Sequence, residues 1–190
     1  MSEHSYYEFE VTLLDIKPRI WRRFLLRTDS SFADLHRAIQ DAMGWYDSHL
    51  WAFMGSGRDM EPIAGVPEEE FGDEGETPDA RKVKLVSFFG QGEGAKKCLY
   101  LYDFGDDWRH QVELKGIEDF DKKFKRRLLA GKRACPMEDC GSTPGYERMV
   151  EFLKTGKDPY GDGDEELREW MGDWDPDAFD LDDAKKDFDR

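Results

Sequence analysis

The stretch from residue 98 to residue 114 constrains the fold more than any other part of the chain. Leu99 and Leu101 alternate with Tyr100 and Tyr102, and farther on Trp108, His110, Val112 and Leu114 alternate with Arg109, Gln111 and Glu113. Between them stands Asp103-Phe104-Gly105-Asp106-Asp107. There Gly105 is expected to supply a positive φ, and the aspartates to bond nearby backbone amides. Period-two alternation on both sides of a turn is the pattern of an antiparallel hairpin with one buried face, so the rest of the chain must build a sheet around it.

The neighbouring segments can do so. Tyr7, Phe9, Val11 and Leu13 share one face, with Glu8, Glu10 and Thr12 between them, which predicts a half-buried strand. Asp15-Ile16-Lys17-Pro18 turns the chain, and Arg19 to Leu26 reads as a second strand. Ser31 and Asp34 have capping-box spacing, Phe32, Leu35, Ala38, Ile39 and Ala42 recur at helical intervals, and Gly44 is a natural stop. His49 to Met54 reads as a third strand, and Arg81 to Phe89 as a strand running into a short helix. Helices are predicted over Tyr146 to Leu153 and Glu165 to Met171, with Asp175-Pro176 as a cap followed by a first-turn proline. The expected architecture is one α+β domain over residues 1–190: a mixed β-sheet with helices packed on one face, in the manner of an α/β roll or β-grasp, and a helical C-terminal third.

Hydrophobic residues make up 38% of the 190 and aromatics 14%, enough for a core, which excludes wholesale disorder. No apolar run is long enough to cross a membrane as a helix. An odd set of 3 cysteines and no visible secretory signal lead to the expectation of a reducing, cytoplasmic setting. The net charge of −15 is unevenly spread: residues 57–80 carry −8 and residues 158–190 carry −10, leaving +3 elsewhere. Glycines and prolines among the acids at 57–80 predict a flexible acidic loop, and an acidic helical part is expected from about 144. Basic residues gather at Lys17, Arg19, Arg22, Arg23 and Arg27, and again between Lys122 and Arg133. Arg19, Arg22, Arg23 and the second cluster are candidates for phosphate contacts, although the acidic whole opposes a polyanion at long range.

Two segments carry a resemblance. Tyr100-Leu101-Tyr102-Asp103-Phe104-Gly105-Asp106-Asp107-Trp108-Arg109-His110 resembles the Y-x-Y-D-F-G-D-x-W-x-H signature of the plasmid pRiA4b ORF-3-like family, which includes TnpR-like passenger proteins of insertion elements. Leu129 to Gly141, followed by Gly145-Tyr146, is similar to that family's G-x-R-x-x-P-x-E-D-x-G-G…G-Y block. Gly44-Trp45, His49-Leu50, Pro18 to Arg23 and Asp175 to Phe179 add to it, so the resemblance covers nearly the whole chain. It implies a compact α+β domain and a link to mobile DNA, and no particular activity. The chain departs from the pattern at Leu129, where members often carry cysteine, at Ser142, where a second glycine is usual, and at Ala184-Lys185.

Asp103, Asp106 and His110, with Glu138 and Asp139 brought in by folding, offer ligands for a hard divalent cation such as Mg²⁺ or Mn²⁺. His110 then serves as ligand or base; equally, it shares its strand face with Trp108 and Val112 and fits a core histidine. Cys135 and Cys140 are spaced C-x4-C, and with Cys98 they fall short of a four-ligand zinc site. Gly90-Gln91-Gly92-Glu93-Gly94 reads as a turn, because its glutamate repels phosphate. Tyr100, Tyr102 and Tyr146 are candidates to line a groove for a partner peptide. The leading expectation is therefore a non-catalytic accessory or protein-interaction module with an unidentified protein partner. The alternatives are a metal-dependent hydrolase-like enzyme using the Asp/His/Glu cluster and a DNA-associated accessory factor.

Overall fold

The computed structural model describes residues 4–56, 60–67, 77–90, 96–161 and 163–189. Among the described residues seven strands form one sheet: β1 (His4–Leu13), β2 (Trp21–Arg27), β3 (Trp51–Gly55), β4 (Pro62–Gly65), β5 (Lys97–Tyr102), β6 (Trp108–Phe120) and β7 (Arg126–Lys132). Their spatial order is β4-β3-β5-β6-β1-β2-β7. The helices among the described residues are α1 (Phe32–Met43), α2 (Leu85–Phe89), α3 (Ser142–Thr155), α4 (Asp164–Met171) and α5 (Leu181–Phe188). The class is α+β. The expectation of a mixed sheet is corrected, since each pairing between named strands is antiparallel and the parallel element is an isolated bridge, Gly65 to Asp79. Among the described residues no helix is long and apolar enough to cross a membrane.

The hairpin forms in the expected register, with Tyr102 opposite Trp108 and Tyr100 opposite His110. Its turn is built differently. Asp103 (φ 57°) and Asp107 (φ 55°) take the left-handed positions, and Gly105 does not. Asp103 can do this because its Oδ1 accepts from the amides of Gly105 (2.9 Å) and Asp106 (3.3 Å), which offsets the cost of the backbone conformation.

Tyr7, Phe9, Val11 and Leu13 of β1 face the core with Phe24 of β2 and Tyr100 and Val112 of β5 and β6. Onto this face packs α1 through Phe32, Leu35, Ala38, Ile39 and Ala42. Ser31 and Asp34 cap it reciprocally, and Gly44 (φ 87°) closes it with an amide bond to the Gln40 carbonyl. Alongside lies α5, whose Phe188 is buried 5.3 Å from the Phe24 ring. The opposite face is polar: Glu10 accepts from Arg19 (3.1 Å) and Arg23 (2.6 Å). A smaller cluster joins α3 and α4 through Met149, Phe152, Leu167 and Met171.

Three further expectations need correction. Within the predicted acidic loop, Pro62–Gly65 is a strand that pairs with β3 at the sheet edge, while 57–59 and 68–76 lie outside the described residues. Arg81 to Lys84 is a turn with one isolated bridge rather than a strand. Asp175-Pro176 starts no helix: the nearest one begins at Leu181, where Asp180 caps it by accepting from the Asp183 amide. The glycine run falls largely at 91–95, outside the described residues.

Candidate functional site

Three loops meet at one end of the sheet. The first follows α1 and runs through Gly44-Trp45-Tyr46-Asp47-Ser48-His49 into β3; the second is the β5–β6 turn; the third, Cys135 to Gly141, leads into α3. They are tied together by polar contacts. The Asp103 amide donates to the Leu50 carbonyl (2.9 Å), and the Gly141 amide donates to Asp106 Oδ2 (3.1 Å). Glu138 accepts from the Tyr102 hydroxyl through Oε1 and from the Tyr46 amide through Oε2 (2.9 Å). Trp45 Nε1 donates to the Pro136 carbonyl at 2.9 Å.

At the centre of this junction lies His49 Nε2, 3.0 Å from Asp139 Oδ1 and 3.7 Å from Asp103 Oδ2. The atom is shut off from solvent and makes no hydrogen bond with either carboxylate. One ligand atom from each of His49, Asp103 and Asp139 lies within 4.8 Å of the others. Metal–ligand bonds of about 2.1 Å place neighbouring donor atoms roughly 3–4 Å apart, so a small contraction brings these three around one ion. Imidazole plus two carboxylates is a mixed nitrogen–oxygen donor set suited to Zn²⁺ or Mn²⁺. Three protein ligands leave positions open for water, as catalytic sites do and closed structural sites do not.

The local field is negative. Cys140 is pushed up to about 12, by burial first and then by the charges of Asp106 and Asp139, so its thiol stays protonated. Burial, and then the hydrogen bond to Glu138, also raise the Tyr102 phenol. Beside the cluster opens a cleft of about 380 Å³, lined by Trp45, Tyr46, Trp170 and Trp174 and by the carboxylates of Glu138 and Asp139.

Of the residues singled out in the sequence, Asp103 and Asp139 come together at His49, while Asp106 and Glu138 brace the loops around them. His110 does not join. It is fully buried on the core face, and its Nδ1–H donates to the carbonyls of Trp108 (3.1 Å) and Tyr100 (3.3 Å). Burial pushes its imidazole down to about 4, which makes it a neutral core group. Tyr100, Tyr102 and Tyr146 are buried too, so they line no surface groove. The candidate phosphate-binding arginines are engaged elsewhere. Arg22 is buried on the core face, giving hydrogen bonds to the carbonyls of Trp21, Ala42, Lys132 and Arg133 and stacking 4.0 Å from the Phe179 ring. Arg19 and Arg23 pair with Glu10. In the second cluster Arg126 binds Asp41 and the Phe188 carbonyl, and Arg133 binds Asp177 and the Tyr146 hydroxyl (3.2 Å).

Sequence reasoning missed His49 as a ligand; its signal was a lone histidine in the loop before a strand. It also missed a buried chain of hydrogen bonds: His36 lies between Asp47 (Nε2, 2.7 Å) and the Tyr100 hydroxyl (Nδ1, 2.8 Å), and Gln40 donates to that hydroxyl at 3.0 Å. Every polar atom in that chain is satisfied by a neutral imidazole, so it reads as structure.

Comparison with known proteins places the chain among relatives of the same size. Residues 5–183 match the family described as Plasmid pRiA4b ORF-3-like protein. The "Uncharacterized protein y4hQ" of Sinorhizobium fredii (strain NBRC 101917 / NGR234) is 36% identical over 174 residues, covering 92% of this chain and 84% of that one. The crystal structure titled "Protein of Unknown Function MM3350" from Methanosarcina mazei Go1 superposes with a TM-score of 0.80 at 35% identity, covering 95% of this chain and 96% of that one.

Proposed function

The chain belongs to the plasmid pRiA4b ORF-3-like family, and on that footing we propose that it is a divalent-metal protein whose centre, held by His49, Asp103 and Asp139, activates water for hydrolysis. One observation carries the reading: the imidazole nitrogen of His49 is closed to solvent, unbonded, and flanked by two carboxylates. A cation between them satisfies all three groups at once. It also supplies the chemistry, since a bound divalent ion brings water to a nucleophilic state near neutral pH. The protein's own part is to hold the ligands. Asp103 is fixed by its turn, with Oδ1 occupied by backbone amides and Oδ2 turned toward His49. The loop carrying Asp139 is fixed by Glu138 and Gly141. Two segments that carry the family resemblance, the hairpin turn and the 129–141 block, meet at this point, which further supports a site here.

A second reading, a protein-interaction module, is favoured by the exposed rings of Tyr46 (83%) and Trp170 (44%) on the rim of the cleft. Thermal unfolding separates the two. Chelator-treated protein is compared with protein in Zn²⁺ or Mn²⁺ at matched ionic strength. A metal at a hundred times its dissociation constant stabilises by about 2.7 kcal/mol, which raises the midpoint by roughly 5–10 °C in a chain this size. That rise should vanish in His49→Ala. A flat response in the wild type removes the metal reading and leaves the interaction module.

A further inference from the structure

We infer that the cleft beside the cluster recognises an organic cation, an ammonium or guanidinium head carried by the molecule on which the site acts. Assigning that head to a substrate rests on the hydrolytic reading above; its binding chemistry does not need the metal.

The lining decides the class of ligand. Trp45, Tyr46, Trp170 and Trp174 line the cleft, and among the described residues the charged side chains along it are Glu138 and Asp139. The electron-rich faces of tryptophan and tyrosine attract cations, and the attraction grows where water is partly excluded. A phosphate or carboxylate ligand would meet like charge here, and among the described residues no lysine or arginine lines the cleft. Arg37, Lys125 and Arg126 line a separate depression beyond Trp45 and Tyr46, where Arg126 is paired with Asp41; on the other sides Arg22 reaches the Cys135 thiol from the core (3.6 Å) and Arg148 is paired with Asp158.

Several of these groups are already held in place. Trp45 Nε1 donates to the Pro136 carbonyl and Trp174 Nε1 to the Cys135 carbonyl, each at 2.9 Å, so both indoles are locked by their edges. Little ordering is then needed on binding. Glu138 is positioned by the Tyr102 hydroxyl and the Tyr46 amide. Charge balance points the same way. A divalent ion neutralises the carboxylates of Asp103 and Asp139, and Glu138 is left as the negative charge of the cleft, poised for a cation rather than a second anion.

The test follows the indole N–H resonances of Trp170 and Trp174 by NMR as the protein is titrated with tetramethylammonium, with Nα-acetyl-arginine amide, with their neutral counterparts neopentyl alcohol and Nα-acetyl-citrulline amide, and with inorganic phosphate. Each series is run in chelator and in Zn²⁺, and metal-induced thermal stabilisation is recorded separately without organic ligand. The expected result is saturable shifts with at least one cation, about tenfold tighter than with its neutral counterpart. Trp170→Ala should weaken it by a similar factor, since that ring stands on the rim, and Glu138→Gln should narrow the gap between cation and neutral counterpart. Which cation wins tells a quaternary ammonium from an arginine-like head. Equal affinity for the neutral compounds, tighter binding of phosphate, or no saturable shift with either cation overturns the inference. Cation binding without metal stabilisation refutes only the metal centre, and the reverse refutes only the cation cleft.

Discussion

Acid should destabilise this protein well above the pH at which ordinary carboxylates titrate, and the cause is a pair of buried histidines. Burial pushes His36 and His110 down to about 4 from the ordinary 6.5; for His36 the nearby Asp47 only partly opposes it. Once unfolded, both imidazoles regain the ordinary value. Between about pH 6.5 and pH 4 the unfolded chain therefore binds protons that the folded chain refuses, and stability falls as pH falls. Below the folded value the loss from this pair levels off. Each proton taken up only on unfolding costs about 1.4 kcal/mol per pH unit, so at pH 5 each histidine removes about 2 kcal/mol relative to pH 8, and the pair about 4. That is a large share of a typical total of about 5–15 kcal/mol. The shifted carboxylates of β1 and Asp29 do not imitate this window. Glu10 and Asp29 have lowered values and lose their contribution only under more acid conditions, while Glu8 is raised by burial and works in the opposite direction. Urea unfolding at half-unit steps from pH 5 to pH 6.5, at fixed ionic strength, measures the slope. His110→Asn, whose amide can still donate to the Trp108 carbonyl, should halve it. A slope unchanged in that variant, or stability that rises toward pH 5, refutes the reasoning.

Other consequences concern packing. A Cβ at Gly145 would stand 1.7 Å from the Cys140 carbonyl oxygen, whereas one at Gly116 meets nothing within 4 Å; thermal unfolding should show Gly145→Ala losing at least about 3 kcal/mol and Gly116→Ala within about 0.5. Phe188, fully buried against Phe24 and under the Arg126 guanidinium (4.6 Å), anchors α5, so Phe188→Ala should cost about 3–5 kcal/mol by urea unfolding. Arg22→Met strips hydrogen bonds from the buried carbonyls of Ala42 and Arg133, and should cost about 3 kcal/mol by the same assay.

How much of this was legible in the chain varies by residue. The hairpin, β1 and α1 were readable because period-two and helical spacing coincide there with local stop signals: Ser31 and Asp34 at one end of α1, Gly44 at the other. β4 was not, because its four residues lie among acids and turn-formers and become a strand only by pairing with β3, which no local pattern reports. Gly105 was an obvious choice for the left-handed position, yet Asp103, whose side chain bonds its own turn, and Asp107 took left-handed positions instead. In the site, Asp103 and Asp139 were visible as turn-borne carboxylates. His110 stood open between ligand and core histidine, and the alternation that put it on one face with Trp108 and Val112 pointed to the core, where the structure has it. His49 could not be found locally, since its partners lie 54 and 90 residues away in loops that meet only after folding.

His49, Asp103 and Asp139 are proposed to hold one divalent ion. The most direct test of this is anomalous diffraction from crystals grown with Zn²⁺ or Mn²⁺. One strong peak is expected within about 2.0–2.2 Å of His49 Nε2 and of a carboxylate oxygen from each aspartate, absent from crystals of Asp139→Asn. No peak at that position in metal-soaked wild-type crystals, with His49 still between the two carboxylates, would contradict it.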